Sequence, residues 1–238
     1  MKIALIGYGK MGHAIEEIAL HRGHEIALKV NIDNVEDNTT ENIRKADAAI
    51  EFTGPHSAYD NIIRCLDAGV PVVSGSTGWL DKLDAVRLHC RQRQGSFLYA
   101  SNFSVGVNIF FEVNRRLAAL MVPHPEYEVR ITEIHHTEKK DAPSGTAISL
   151  AEQILERIPR KKGWVNHLSD NLDELEILSE RTDPAPGTHR VEYHSGIDTI
   201  EITHTAHNRR GFAMGAVLAA EYLLGKRGVF QMSDVLGF

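Results

Sequence analysis

The chain of 238 residues is poor in several things. It has two cysteines, Cys65 and Cys90, so neither a disulfide framework nor a four-thiolate zinc site can be built from it. It lacks an excess of basic charge. Its 32 acidic residues outnumber 26 basic ones, and the net charge of −6 excludes a general binder of phosphate backbones. No apolar run approaches the ~20 residues of a membrane span. Met1-Lys2-Ile3-Ala4-Leu5-Ile6-Gly7 is too brief for a signal-peptide core and reads as a first strand. Internal repeats and low-complexity tracts are absent. What remains is ordinary globular composition, 42% hydrophobic and 24% charged. The expectation is a soluble, cytoplasmic protein of one large or two modest domains, without membrane or nucleic-acid partners. Thirteen histidines are many for this length, so their clustering matters.

Along the first hundred residues strands and helices alternate. Lys2 to Ile6 is a continuous apolar run, as for a strand buried on both faces. Gly7-Tyr8-Gly9-Lys10-Met11-Gly12 follows, and then Met11, Ala14, Ile15, Ile18 and Ala19 form one helical stripe that Gly23 ends. Glu25 to Ile32 reads as a second strand. Further strands are expected at 48–53, 70–74 and 97–100, with helices at 57–68 and 79–93. Such alternation implies a parallel sheet with helices on both faces. After about residue 104 the rhythm changes. Val105 to Leu120 reads as a long helix. Tyr127, Val129, Ile131, Glu133 and His135 share one face of a strand, and a helix runs from Gly145 to Ile158. Residues 159–187 show no convincing long element. Two β runs follow at 188–194 and 199–205, and a small-residue helix at 213–224. A second, α+β domain is expected.

The Gly-x-Gly-x-x-Gly string carries meaning because it follows a strand and opens a helix. Gly7 permits the tight turn, Gly9 lets backbone approach a pyrophosphate, and Gly12 lets helix and strand pack. The helix N-terminus offers unpaired N–H groups and partial positive charge. Asp33, 21 residues beyond Gly12, closes the next strand and suits an adenosine ribose. The alternative is a ligand-free βα turn. Thr53-Gly54-Pro55 and Gly75-Ser76-Thr77-Gly78 end strands where parallel sheets bind ligands, though each is also an ordinary turn. Ala100-Ser101-Asn102-Phe103-Ser104 lies where the first rhythm stops, either a hinge touching cofactor or a plain connection. The densest chemistry is Glu133-Ile134-His135-His136-Thr137-Glu138-Lys139-Lys140-Asp141-Ala142-Pro143-Ser144-Gly145-Thr146. It supplies a proton donor near neutral pH, positive charge, and a helix start that would cradle a carboxylate. The bland alternative is a solvated strand end with a helix cap. A metal is not expected, because His135 and His136 point to opposite faces and no His-Glu-x-x-His spacing exists. The other histidines read as surface or packing residues. Arg209 and Arg210 either reach a second carboxylate or face solvent.

With the His-His block the chain resembles the dihydrodipicolinate reductase family. The family's Glu-x-His-His-x-x-Lys-x-Asp-Ala-Pro-Ser-Gly-Thr-Ala signature stands here from Glu133 to Ala147. Asn102 to Asn108, Ile200 to His204 and Gly215 to Val217 match further blocks. Gly75-Ser76-Thr77-Gly78 is similar to a Gly-Thr-Thr-Gly block, with Ser76 as a departure. The resemblance implies an α/β fold, with a Rossmann-like cofactor domain at 1–104 and 213–238. The inserted α+β substrate and oligomerisation domain, with a mixed sheet, spans 105–212. It implies His135 as proton donor and Lys139 as the other catalytic residue. His136, Gly145 and Thr146 would bind substrate. Cofactor would lie on Gly7, Tyr8, Gly9, Lys10, Met11, Gly12, Asp33, Gly75, Ser76, Thr77, Ala100, Ser101, Asn102 and Phe103. It also implies a homotetramer.

The expected reaction is NAD(P)H-dependent reduction of a cyclic imine dicarboxylate in lysine and diaminopimelate biosynthesis. Asp33 favours a free ribose 2′-OH, so NADH is expected to serve at least as well as NADPH, although Lys10 and Lys29 would blunt the preference. The alternatives are another two-domain amino-acid dehydrogenase, such as one acting on aspartate, or a non-catalytic NAD(H) sensor. Neither gives a reason for the whole His-His-to-Gly-Thr block.

Overall fold

A computed structural model of the chain describes residues 1–208 and 210–238. The chain divides into two compact units, Ile109–Asn208 and a first unit made of Met1–Asn108 with the C-terminal segment. The first unit begins with β1 (Lys2–Ile6), α1 (Lys10–His21) and β2 (Glu25–Val30). A single 3₁₀ turn precedes α2 (Thr40–Ile43), whose first free N–H groups include that of Asn42, which donates to the Thr39 hydroxyl. Next come β3 (Ala48–Glu51), α3 (Ala58–Asp67), β4 (Val72–Ser74), α4 (Leu83–Gln92) and β5 (Ser96–Tyr99). Helix α5 (Val105–Met121) leads into the second unit, which holds β6 (Glu128–His135), α6 (Gly145–Leu155), β7 (Gly163–Val165), β8 (Glu174–Arg181), β9 (Thr188–His194) and β10 (Thr199–Thr205). The chain then returns to the first unit with α7 (Arg210–Leu223), β11 (Gly228–Phe230) and α8 (Met232–Leu236).

The first sheet is parallel throughout, in the order β11-β5-β4-β3-β1-β2. The inner strands β1, β3 and β4 are short and nearly all buried because both faces are covered, whereas the edge strand β2 exposes Glu25 and Lys29. On one face Ile3, Leu5 and Ile50 meet Ile15 and Ile18 of α1 and the alanine-rich side of α7. On the other, Ala4, Ile6 and Val72 meet Ile62 and Leu66 of α3 and Val86 of α4, with Trp79 beneath. Each fully buried Ile, Leu or Val contributes about 1.5–3 kcal/mol, so these two layers hold the sheet together. The order places β2 and β3 on opposite sides of β1. That is the point where connections diverge and leave a crevice outside the strand ends.

The second sheet is mixed, in the order β10-β9-β6-β8-β7. The three β runs expected at 127–136, 188–194 and 199–205 do pair in one sheet, β9 antiparallel to both β6 and β10. The reading of 159–187 is corrected. This stretch holds β7 and the eight-residue β8, which lies parallel to β6 with His135 opposite Arg181. Helix α6 and part of α5 cover one face through Leu150, Ile154, Ala118 and Met121 against Ile131, Ile177 and Tyr193. The other face is polar, with Arg130 on Glu176 at 2.5 Å and Lys161 on Glu128 at 2.7 Å. Among the described residues no helix is long and apolar enough to cross a membrane.

Candidate active site

A cavity of about 820 Å³ opens at the switch point of the parallel sheet, lined by Gly7, Tyr8, Gly9, Asp33, Thr53 and Arg64 among others. The glycine turn fits a dinucleotide on steric grounds. Gly7 has φ +98, and a Cβ there would collide with the Phe52 carbonyl. A Cβ on Gly12 would lie 2.5 Å from the Gly7 oxygen, whereas Gly9 has open space above it. Gly9 is the N-cap of α1, with no side chain bonded to the free amides and no acid in the first turn, so the positive helix end is unopposed. The Asp33 carboxylate makes no hydrogen bond or ion pair with any described residue, and only its backbone N is engaged, on Asn31 at 2.6 Å.

The remaining sequence-predicted cofactor residues fall into two groups. Lys10, Met11 and Gly12 continue into α1, where Lys10 is exposed, Met11 packs on the core and Gly12 is buried. Gly75, Ser76 and Thr77 follow β4, and Ala100, Ser101, Asn102 and Phe103 follow β5, without lining the cavity. Phe103 is a core residue, its ring 5.6 Å from that of Phe52 and its carbonyl packed against Gly215. Asn102 accepts from Ser104 N at 2.9 Å and shapes the entry into α5. One organising residue was missed. The fully buried Glu51 carboxylate accepts from Thr53 N at 2.9 Å, Ser74 Oγ at 2.6 Å and Ser76 Oγ at 2.7 Å, and also from the Thr53 hydroxyl. It ties the ends of β3 and β4 together. The run Ile50-Glu51-Phe52 contained the signal, a lone acid inside a buried strand.

In the second unit the strand end of β6 and the start of α6 share a buried carboxylate. Glu133 is 0% exposed and its Oε1 accepts from Ser144 N at 3.1 Å and from an Arg181 amine at 3.0 Å. Its Oε2 faces His135 Nδ1 at 3.2 Å and His189 Nε2 at 3.8 Å. Ser144 caps α6 by accepting from Ala147 N, and its hydroxyl lies 3.0 Å from His189 Nε2. With Ala147 N taken, the N–H groups of Gly145 and Thr146 have no acceptor among the described residues, and Gly145 has open space at its Cα. Lys139 lies 2.7 Å from both Asp141 oxygens. His136 lies just past the end of β6, outside the strand on which its opposite-face placement was expected, and is half-exposed. Arg210 begins α7 and meets Glu17 at 3.1 Å. Arg209 lies outside the described residues.

Burial pushes His135 below the ordinary histidine range; Glu133 opposes that shift, while Lys139 and Arg181 reinforce it. His189 is lowered further, to about 4, by burial first and then by His135. Burial pushes Glu133 up, but the hydrogen bonds from Ser144 and Arg181, with the polar Ser179 side chain opposite on β8, outweigh it and hold the carboxyl below its usual range. Among the described residues, Glu133, His135 and His189 are spaced as a metal would require, with ligand atoms within 4.8 Å of one another. The charges argue for a different use. Arg181 already occupies Oε1, and Arg181 and Lys139 both place positive charge on the group. His189 and Arg181 were missed in sequence because strand pairing, not spacing, brings them to Glu133.

Such an arrangement, a parallel sheet with a glycine turn at its switch point beside a second mixed-sheet unit, is that of a dinucleotide-dependent oxidoreductase. Residues 1–103 match the family model of the dihydrodipicolinate reductase N-terminus and residues 106–236 that of its C-terminus. The chain therefore belongs to the dihydrodipicolinate reductase family and is an NAD(P)H-dependent oxidoreductase. It is 51% identical to the 4-hydroxy-tetrahydrodipicolinate reductase of Christiangramia forsetii over 99% of this chain and 98% of that one. Identity to the enzyme of that name from Methanosarcina mazei is 34%, over 99% and 89%. The dipicolinate-bound dihydrodipicolinate reductase of Paenisporosarcina sp. TG-14 shares the fold, with a TM-score of 0.80 at 22% identity over 98% of each chain.

Proposed function

We propose that the chain reduces a dihydrodipicolinate-type cyclic imine dicarboxylate to tetrahydrodipicolinate, in the diaminopimelate route to lysine. The supporting observation is the meeting, around Glu133, of a histidine-bearing strand end with a helix start that has two unpaired N–H groups. Gly145 and Thr146 donate to one substrate carboxylate, aided by the positive end of α6. His136, just past the strand end, contacts the substrate as well. When bound, the reduced nicotinamide supplies a hydride to the conjugated C=C–C=N system. The electron pair displaced in the ring is quenched by a proton from His135, and Lys139 stabilises the developing negative charge. A bound dicarboxylate beside His135 favours the imidazolium that burial alone disfavours.

The cofactor lies on Gly7 to Gly12, Asp33, Gly75 to Thr77 and Ala100 to Phe103. NADH serves at least as well as NADPH, because Asp33 presents an unpaired carboxylate and Lys29 is held by Glu16 at 2.6 Å. The enzyme works in the cytoplasm as a homotetramer. The uncovered edge strand β10, preceded by the 86% exposed Ile197, supports association, since open edges invite pairing.

The test mixes purified protein with NADH and freshly generated cyclic imine and follows dihydronicotinamide absorbance. Turnover is expected with this substrate and not with aspartate plus NAD⁺. Tight NADH binding without turnover on either would leave only a nucleotide sensor.

A further inference from the structure

The buried carboxylate of Glu133 has no assigned role, yet it touches both halves of the proposed substrate site. Its two oxygens are differently committed. Oε1 is taken by two donors, Ser144 N at 3.1 Å and Arg181 at 3.0 Å. Oε2 is wholly buried and is satisfied by neither, and so is His135 Nδ1, which faces it at 3.2 Å. A small turn of the imidazole aligns the two, and each is then the other's partner. His189 does not compete for Oε2. It lies farther away, at 3.8 Å, and its Nε2 sits 3.0 Å from the Ser144 hydroxyl. That hydroxyl accepts from Ala147 N and still has a lone pair and its own proton, so it is the partner of His189 Nε2 in either tautomer of the ring.

We propose that Glu133 is the positioning residue of the proton donor. It holds the Nδ1–H of His135 on Oε2, so that Nε2 carries the transferable proton, while Oε1 anchors the N-cap of the carboxylate-binding helix. One side chain then sets both the donor's tautomer and the place of the anion cradle. The inference rests on the reading of His135 as the donor.

The substitution Glu133→Gln discriminates because the amide cannot turn round freely. Its oxygen must take the place of Oε1, where Ser144 N and Arg181 both donate. Its NH₂ group then faces His135 Nδ1, which must become an acceptor. The neutral ring is locked as the Nε2–H tautomer, and the imidazolium is opposed by a donor at Nδ1. The groups facing His135 are Glu133 on its own strand, Arg181 on β8, His189 on β9, and Lys139 and Asp141 in the loop before α6. In this set Glu133, whose Oε2 is 3.2 Å from Nδ1, is the main carboxylate favouring the charged ring, so its loss moves the titration of His135 further toward acid.

The test combines imidazole ¹⁵N NMR with kinetics on the full chain. In the wild type above its titration, His135 is expected as the Nδ1–H tautomer. In Glu133→Gln it should switch to Nε2–H, with a lower titration midpoint, and kcat should fall about 10²–10³-fold. The KM for NADH, bound in the other unit, should not change. Glu133→Asp, which restores the charge, should recover part of kcat and the Nδ1–H tautomer. A wild-type ring in the Nε2–H form overturns the proposal even where the variants fail to fold. So does a folded Glu133→Gln enzyme with unchanged kcat and pH profile. Absence of imine reduction by the wild type would instead sink the functional reading, while the tautomer measurement would still decide the Glu133–His135 contact.

Discussion

Gly187 lies against the imidazole of His135, so close that a Cβ there would stand 3.2 Å from both Cδ2 and Nε2. Its φ is +147, a region that side-chain-bearing residues rarely enter. Gly187→Ala therefore strains the backbone and pushes on the ring edge that, in the proposed reaction, carries the proton. The variant is expected to lose stability by about 1–3 kcal/mol and to lose kcat beyond what folding explains. Unfolding by denaturant, set beside kcat per folded molecule, measures both. Wild-type kcat in a folded variant would mean that Nε2 does not face substrate.

His135 and Lys139 separate by their kinetics. His135→Gln keeps a hydrogen-bonding shape but loses the proton, and a fall in kcat of about 10²–10⁴ with little change in KM is expected. Lys139→Ala should lower kcat and raise the KM for the dicarboxylate, because a charge that attracts it is gone. Its ion pair with Asp141 must open for that charge to reach substrate. NADH affinity, read by fluorescence titration, should be unchanged in both.

The pH profile has a defined sign. A donor must be protonated, and in the free enzyme burial lowers His135 below the ordinary histidine range. The kcat/KM for the imine should thus decline as pH rises through the mildly acidic range. The kcat profile, which reports the substrate complex, should have its midpoint at higher pH, because the bound dicarboxylate stabilises the imidazolium. A kcat/KM that instead rises with pH in this window would make His135 a base.

Acid should destabilise the fold through His189. Its folded value of about 4 lies below the 6.5 of an unperturbed histidine, so between these values the unfolded chain binds more protons. Stability is full above about pH 6.5 and falls toward pH 4, by roughly 3 kcal/mol in all at 1.36 kcal/mol per unit. His189→Gln, which can still accept from Ser144, should show a shallower loss of Tm over that range. Parallel Tm curves for the two proteins would show that His189 is already charged in the native state.

Cofactor choice should turn on Asp33. With the carboxylate gone in Asp33→Ala, kcat/KM for NADPH should rise relative to NADH, and Arg64 on the same cavity wall offers a charge for the 2′-phosphate. A wild-type kcat/KM for NADPH about a hundredfold above that for NADH would show that Asp33 does not face the ribose.

The parts of the molecule written in local pattern were legible in sequence. The alternation of apolar runs with amphipathic stripes is sufficient for five strands of the parallel sheet, most of them buried on both faces, but not for the three-residue edge strand β11, which is too short to show a pattern and was missed. The His-His-to-Gly-Thr block is likewise local. Strand β8 was not legible, although Leu175 and Ile177 alternate with Glu174 and Glu176. Only two side chains face the core, and a long polar stretch surrounds them. The site suffered in consequence. Arg181 reaches Glu133 only through the parallel β6–β8 register, and His189 stands opposite Glu133 only through the antiparallel β6–β9 pairing. Both are long-range facts that a residue count cannot supply. Glu51 and Glu133 share the lesson: a carboxylate in a buried strand position has its meaning set by donors elsewhere in the chain.

The return of α7, β11 and α8 to the first unit has a consequence for biosynthesis. The ribosome releases β1 to β5 early, but the strand that pairs with β5 and the alanine-rich helix that covers one sheet face are made last. About 100 residues of the second unit intervene. At roughly 5–20 residues per second the nascent sheet waits about 5–20 s with β5 as a bare edge and Ile3, Leu5 and Ile50 lacking part of their cover. The inserted unit, whose strands are all contiguous in the chain, can finish before the unit that was started first. A nascent chain stalled before α7 is thus a client for a chaperone at the sheet face, while its second unit is already closed.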